Sequence, residues 1–354
     1  MKRLFNKTSL KVNGETALFI DKDEISLLFP AKRIDRVYCT KNGVEYCEGR
    51  DYAHEPGSKC LKRLPGSAIP KMGEAWLHPD PAVAKLFPDP EADAIAQSIH
   101  GGLLPFDNRV FFASNQIEID YTAEKFDLDV QPKGFSGRLP RLAEKLNTPG
   151  ASLRISFVGD SITEGYNASA MFKIPPFQPP YPALVGEALQ EQFGVNVETL
   201  NRGVGGMSSN YPLEHFDYWL NDKPDLLVIA FGMNDFSAMG VDQYLNNLDN
   251  IVRHAKIANP NVEILHVASM FGNPEWSYTP AGFAELFAEK LHGYVAAQDE
   301  HVNFTDQCEV WTKFLARKNF YDLTGNGVNH PNDFGHRILA SNILMTLAPQ
   351  GAWL

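Results

Sequence analysis

From Leu153 onward the chain alternates two kinds of segment, and this restricts its fold more than any other feature of its 354 residues. Arg154-Ile155-Ser156-Phe157-Val158 is a near-continuous apolar run, as a strand covered on both faces requires. Val197 to Leu200, Leu226 to Phe231 and Ile264 to Ala268 repeat the pattern, and Val302 to Phe304 offers a fifth case. Helical spacing fills the gaps. Val241, Tyr244, Leu245, Leu248, Ile251, Val252 and Ala255 share one helix face, as do Phe283, Leu286, Phe287, Leu291, Tyr294 and Val295. Pro331-Asn332 is a start signal for a last helix over Asp333 to Leu347. Strand and helix in alternation predict an α/β fold with a mainly parallel sheet and helices on both faces.

The first 145 residues read differently. Ser9 to Val12, Asn13-Gly14 and Glu15 to Ile20 form a hairpin pattern, and Arg36 to Thr40, Asn42-Gly43 and Val44 to Glu48 form a second. A two-residue turn at Asn42-Gly43 pairs Cys39 with Tyr46 and leaves Cys39 and Cys47 on opposite faces, unbridged. Asn115 to Tyr121 alternates apolar and polar, as a half-buried strand does. Residues 55–108, rich in Pro, Gly and Asp, read as long loops. These features predict a β-sandwich-like module over residues 1–145. A short helix at Arg141 to Leu146 and the breaker Asn147-Thr148-Pro149-Gly150 precede a second domain over residues 150–354.

Charge follows the same division. Residues 1–145 carry 21 basic and 21 acidic side chains, so the whole net charge of −11 belongs to the rest of the chain. An acidic second domain repels a phosphate backbone, which argues against a nucleic-acid partner. No apolar run reaches the length of a membrane span, so no membrane partner is expected. The opening MKRLFNKTSLKVNGE lacks the apolar stretch of a secretory leader. The expected location is cytoplasmic, or extracellular if the chain is a processed form. Four cysteines are too few for a disulfide scaffold, and no metal-spaced Cys/His cluster occurs, so no metal is expected.

In open parallel sheets, sites form beyond the C-terminal ends of the strands. The first strand here ends in Gly159-Asp160-Ser161-Ile162-Thr163-Glu164-Gly165, the second in Asn201-Arg202-Gly203-Val204-Gly205-Gly206, and the third in Gly232-Met233-Asn234-Asp235. Asn329-His330-Pro331-Asn332 precedes the final helix at the same edge. Taken singly, Ser161 is a helix cap, the glycines are turns and Asn-Asp is a turn pair. Taken together they supply acyl transfer. Ser161 is a nucleophile that needs a base, His330 is that base, and the N–H groups of Ser161 and Gly206 with the Asn234 side chain are three oxyanion donors.

The blocks GDSITEG, NRGVGG, GMND and NHPN, in this order, resemble the four sequence blocks of the SGNH, or GDSL-type, hydrolases. The resemblance covers residues 153–348 and implies a three-layer α/β/α fold and ester hydrolysis without a metal or organic cofactor. It matches Ser161 to the nucleophile and first oxyanion donor, Gly206 and Asn234 to the other donors, and His330 to the base. The motif G-x-S-x-G is absent, which disfavours an α/β-hydrolase. One position departs. The family places an Asp three residues before the His, and this chain has Gly327 there. The triad acid is therefore unassigned. The expectation is a Ser161–His330 dyad, in which a backbone carbonyl holds the ring, or a triad with a displaced acid; Asp322 and Asp333 are the nearby carboxylates.

A β-module before an SGNH domain resembles microbial esterases that deacetylate polysaccharides, so the expected partner is an acetyl ester of a small molecule, oligosaccharide or polysaccharide. Tyr166, Phe172, Phe177 and Tyr181, in and around a proline-rich loop, are candidate sugar-stacking residues, with Trp276 a further one. A lipid esterase or lysophospholipase is the alternative enzyme. A catalytically dead glycan-binding protein is the alternative outside enzymes, favoured only by Gly327.

Overall fold

The structure, a computed structural model, describes residues 4–6 and 8–349; Met1 to Arg3, the start of the segment without a leader pattern, lie outside them. Five strands form the N-terminal sheet: Phe5–Asn6 (β1), Lys11–Ala17 (β2), Ala31–Cys39 (β3), Val44–Tyr46 (β4) and Ile117–Ala123 (β5). They are antiparallel in the order β1-β2-β5-β3-β4. A three-stranded sheet of Glu24–Ser26, Tyr52–His54 and Cys60–Arg63 accompanies them.

Two local expectations are corrected. Asn13-Gly14 does not turn the chain. The strand β2 runs through it, and Asn13 and Gly14 together oppose the single residue Asp120 as a bulge, with Gly14 at φ +60° and its N–H donating to Asp120 Oδ1 at 2.5 Å. The bulge turns the Asn13 and Gly14 carbonyls toward Arg337, whose guanidinium donates to both at 2.8 and 2.9 Å. At the second site the hairpin exists, but Cys39 pairs with Val44 and Val37 with Tyr46. Only Gly43 of the Asn42-Gly43 pair has positive φ, and a four-residue loop closed by Gly43 N–H to Thr40 O replaces the two-residue turn. All four cysteines are free.

The second sheet is wholly parallel. Its strands are Ser152–Gly159 (β6), Asn196–Gly203 (β7), Leu226–Ala230 (β8), Glu263–Ala268 (β9) and Val302–Asp306 (β10), in the order β7-β6-β8-β9-β10. The sequence runs that predict them differ from the observed strands by a few residues at the ends. The main helices are Tyr181–Phe193 (α1), Val241–Ala258 (α2), Phe283–Ala296 (α3), Gln307–Leu315 (α4) and Asp333–Leu347 (α5). Phe157, Val228 and Leu265 pack on one side with α1 and α5, while Leu227, Ile229 and Ile264 pack on the other with α2 and α3. This is the three-layer α/β/α arrangement.

The module does not have a core of its own. Val12, Val37, Ile117, Ile119 and Tyr121 from the antiparallel sheet belong to the same apolar cluster as Leu184, Phe334, Ile338 and Ile343 from α1 and α5. No helix among the described residues is long and apolar enough to cross a membrane.

Candidate active site

The polar strand ends converge. Beyond β6 the chain enters a short helix, Ser161–Glu164, whose cap is Asp160: its carboxylate accepts the Ile162 N–H at 2.9 Å. Ser161 is therefore the first helical residue rather than the cap, and its side chain is free to serve elsewhere. It does so at once. Ser161 Oγ lies 2.9 Å from His330 Nε2, across 169 positions of sequence, with both residues buried (5% and 7% exposed).

The second and third strand ends are tied to the first. Glu164 accepts the Gly205 N–H at 2.6 Å, and Asp235 accepts both the N–H and the hydroxyl of Ser209. Asn234 donates to the Met207 carbonyl at 2.9 Å. These bonds bring Ser161, Gly206, Asn234 and His330 onto one cleft of about 620 Å³. That is the size of a pocket for a small molecule or a short oligomer. Among the described residues, the N–H groups of Ser161 and Gly206 have no hydrogen-bond acceptor.

The substrate residues suggested by sequence separate. Tyr166 lines the cleft, its ring centroid 5.1 Å from that of His330. Tyr181 is a core residue, 2% exposed, hydrogen-bonded to Thr163 Oγ1 at 2.7 Å and edge-on to Phe157. Phe177 projects outside the cleft, 59% exposed. Phe172 borders a different, smaller recess. The proline-rich segment supplied no signal for telling these apart, because an aromatic starting a helix is equally suited to core and cleft.

Trp276 does line the cleft, stacked on Tyr278 with centroids 5.2 Å apart. Phe87 and Phe106, from the loop-rich part of the module, complete that wall. Sequence reasoning missed Phe87, Phe106 and Tyr278. The loop that carries two of them is held to the α/β part by Ile99 N–H to Glu275 O and Ser277 N–H to Gln97 O. Among the described residues, no Lys, Arg, Asp or Glu lines the cleft; its polar groups include the amides of Gln97, Asn108 and Asn329.

Neither nearby carboxylate reaches His330. Asp322 accepts the N–H groups of Leu18 and Asn319, and Asp333 accepts that of Ser169. His330 Nδ1 instead lies 3.0 Å from Asn167 Oδ1 and 3.0 Å from Asn326 Nδ2. Gly327, at φ +90°, has no room for a side chain: a Cβ there would sit 2.4 Å from the Pro105 carbonyl oxygen. Burial, with a smaller contribution from His336, holds the His330 pKa down to about 3. Burial raises Asp160 to about 7. Among the described residues, no group of three or more His, Cys, Asp or Glu side chains is arranged to hold a metal ion.

A parallel sheet between helical layers, with a hydrogen-bonded Ser–His pair beyond its strand ends, is the arrangement of the carboxylic ester hydrolases. The chain belongs to the GDSL-like lipase/acylhydrolase family, whose model matches residues 157–338. Comparison with curated proteins gives no match. Among solved structures, the chain is similar to a two-domain esterase (CEX) active on acetylated mannans, at 23% identity and TM-score 0.49, over 62% of this chain and 58% of that one. It is also similar to Axe2, an acetylxylan esterase from Geobacillus stearothermophilus, at 21% identity and TM-score 0.43, over 58% and 97% of the two chains. LAE5, an alpha/beta hydrolase enzyme from the metagenome of Lake Arreo, Spain, aligns at 18% identity and TM-score 0.44, over 57% and 98%.

Proposed function

We propose that the protein is a serine esterase that removes O-acetyl groups from carbohydrates. The observation that carries the chemistry is the 2.9 Å contact between Ser161 Oγ and His330 Nε2 at the floor of a cleft also lined by Gly206 and Asn234. Ser161 attacks the ester carbonyl while His330 takes its proton. The Ser161 and Gly206 N–H groups and the Asn234 amide receive the oxyanion. His330 then returns the proton to the departing sugar oxygen, and water repeats the sequence on the acyl-enzyme.

The substrate class rests on the lining. A cleft that among the described residues has no Lys, Arg, Asp or Glu side chain favours a neutral ligand, and amides beside aromatic faces (Tyr166, Trp276, Tyr278) suit a sugar ring. The deciding measurement compares p-nitrophenyl acetate with longer acyl esters and follows acetate release from acetylated oligo- and polysaccharides. Acetyl preference with acetate release from glycans is expected. Preference for chains of about eight carbons or more would overturn the reading in favour of a lipid esterase.

Two kinetic results follow. Asn234→Ala is expected to lower kcat by about 10²- to 10³-fold with a small change in KM, because the lost donor acts on the transition state. An unchanged kcat would remove Asn234 from the oxyanion site. The second concerns pH. The base is active when neutral, and a depressed pKa keeps it neutral into acid. The acid limb of kcat/KM should therefore fall below about pH 5, well under that of an ordinary histidine. A limb near 6.5 would contradict the buried, carboxylate-free setting.

A further inference from the structure

The reaction places a demand on His330 that the Ser161 contact alone does not meet. To accept the serine proton, Nε2 must present a lone pair, so the ring proton must reside on Nδ1. An N–H there needs an acceptor. We propose that Asn167 supplies it, as a positioning residue whose side-chain oxygen holds His330 in the base-competent tautomer. This rests on the esterase reading above.

The orientation of both amides around Nδ1 is determined by their other partners. Asn167 Nδ2 donates to the Gly325 carbonyl at 2.7 Å, which turns Oδ1 toward the ring, 3.0 Å from Nδ1. Asn326 Oδ1 accepts the N–H groups of Val328, Asn329 and His330, at 2.9 to 3.0 Å, which turns Nδ2 toward the same ring nitrogen. Nδ1 thus sits between an acceptor and a donor. The donor favours the other tautomer, with a lone pair on Nδ1 and the proton on Nε2, in which the ring cannot take the serine proton. Asn167 is the group that opposes it.

The chain also shows why an amide stands here and not a carboxylate. A carboxylate at 167 would set an oxygen against the Gly325 carbonyl, where the amide places an N–H. At 327, the Pro105 backbone fills the space a side chain needs. Asn167 has φ +64°, a left-handed conformation that Asn adopts more readily than most residues. When Ser161 attacks, its proton moves to Nε2, the Nδ1–H stays on the ring against the Asn167 oxygen, and the proton on Nε2 later leaves with the alcohol. Among the described residues no carboxylate is hydrogen-bonded to the His330 ring, so orientation, not charge pairing, is what Asn167 contributes.

The test reads the tautomer directly, by ¹⁵N NMR of histidine-labelled protein, together with kcat and KM on p-nitrophenyl acetate. Asn167→Gly tolerates the left-handed backbone and deletes the amide. Wild type should show His330 protonated on Nδ1. Asn167→Gly should move the proton to Nε2 and lower kcat on the order of 10²- to 10⁴-fold with KM little changed. Asn167→Asp, which keeps an acceptor for the ring N–H but faces the Gly325 carbonyl with an oxygen, should show the Nδ1–H form and a kcat between those of Asn167→Gly and the wild type. An Nδ1–H form that persists in Asn167→Gly, or an Nε2–H form in the wild type, overturns the proposal. The NMR needs no substrate, so an inactive wild type with the Nδ1–H tautomer would instead count against the esterase reading alone.

Discussion

Ser161→Ala should abolish ester hydrolysis, lowering kcat on the order of 10⁴- to 10⁶-fold, while the protein stays folded. The change removes one oxygen, whose hydrogen-bond partner among the described residues is His330 Nε2. Asp160 still caps the short helix through Ile162, and Asp235 and Glu164 still hold the neighbouring strand ends. The proposed oxyanion donors remain, so a small residual rate over water is expected. Acetate release from an acetylated oligosaccharide, with circular dichroism on the same samples, checks it. If Ser161→Ala keeps wild-type turnover, Ser161 is not the nucleophile. If wild type itself releases nothing, the glycan-binding reading prevails.

Lys318→Met is the largest stability effect expected, a loss of about 3–5 kcal/mol. Lys318 follows α4 and is completely buried, as is Glu15 on β2. Lys318 Nζ donates to Glu15 Oε1 at 2.9 Å and to the Ser26 carbonyl at 2.8 Å, and lies 3.4 Å from Asp322. Glu15 also accepts from the Tyr121 hydroxyl and the Leu28 N–H. Burial works against the lysine charge, but Asp322 and Glu15 outweigh it and keep its pKa above the ordinary value. Removing the lysine leaves two buried carboxylates, Glu15 and Asp322, without their cation. Adding Glu15→Gln should recover part of the loss, because it removes one of the two stranded charges. Guanidinium unfolding of the wild type and the two variants measures both. A midpoint unchanged in Lys318→Met would show that the module and the α/β part do not depend on this pair.

That pair, the Arg337 bonds to Asn13 and Gly14 and the shared apolar cluster all tie the N-terminal sheet to the rest of the chain. The module also contributes Phe87 and Phe106 to the cleft, and Pro105 to the space beside Gly327. It lines the candidate cleft as well as packing against the α/β part.

Much of this was legible in one dimension. The apolar runs of the parallel strands are long because both faces are covered, so each announces itself without its neighbours. Ser161, Gly206, Asn234 and His330 stand at strand or loop ends, where a polar or glycine residue contrasts with the run before it. The errors lie where two readings share one local pattern. Asn13-Gly14 serves a hairpin or a bulge, and only β5 and Arg337 across the sheet select the bulge. Tyr181 and Trp276 are both aromatics near breakers, yet one fills the core and the other faces the cleft.

The sequence by itself determined the parallel α/β layer, its separation from a strand-rich N-terminal part, and the Ser–His–Asn–Gly set, because periodicity and strand-end chemistry are local. Only the tertiary structure decided what holds His330. Asn167 is 163 residues away from it, and no spacing rule connects them. The structure also shows why a side chain at 327 does not fit, since the Pro105 carbonyl, more than 200 residues earlier in the chain, occupies its place. Both outcomes depend on excluded volume and hydrogen-bond direction between distant segments, quantities that exist only once the chain has packed.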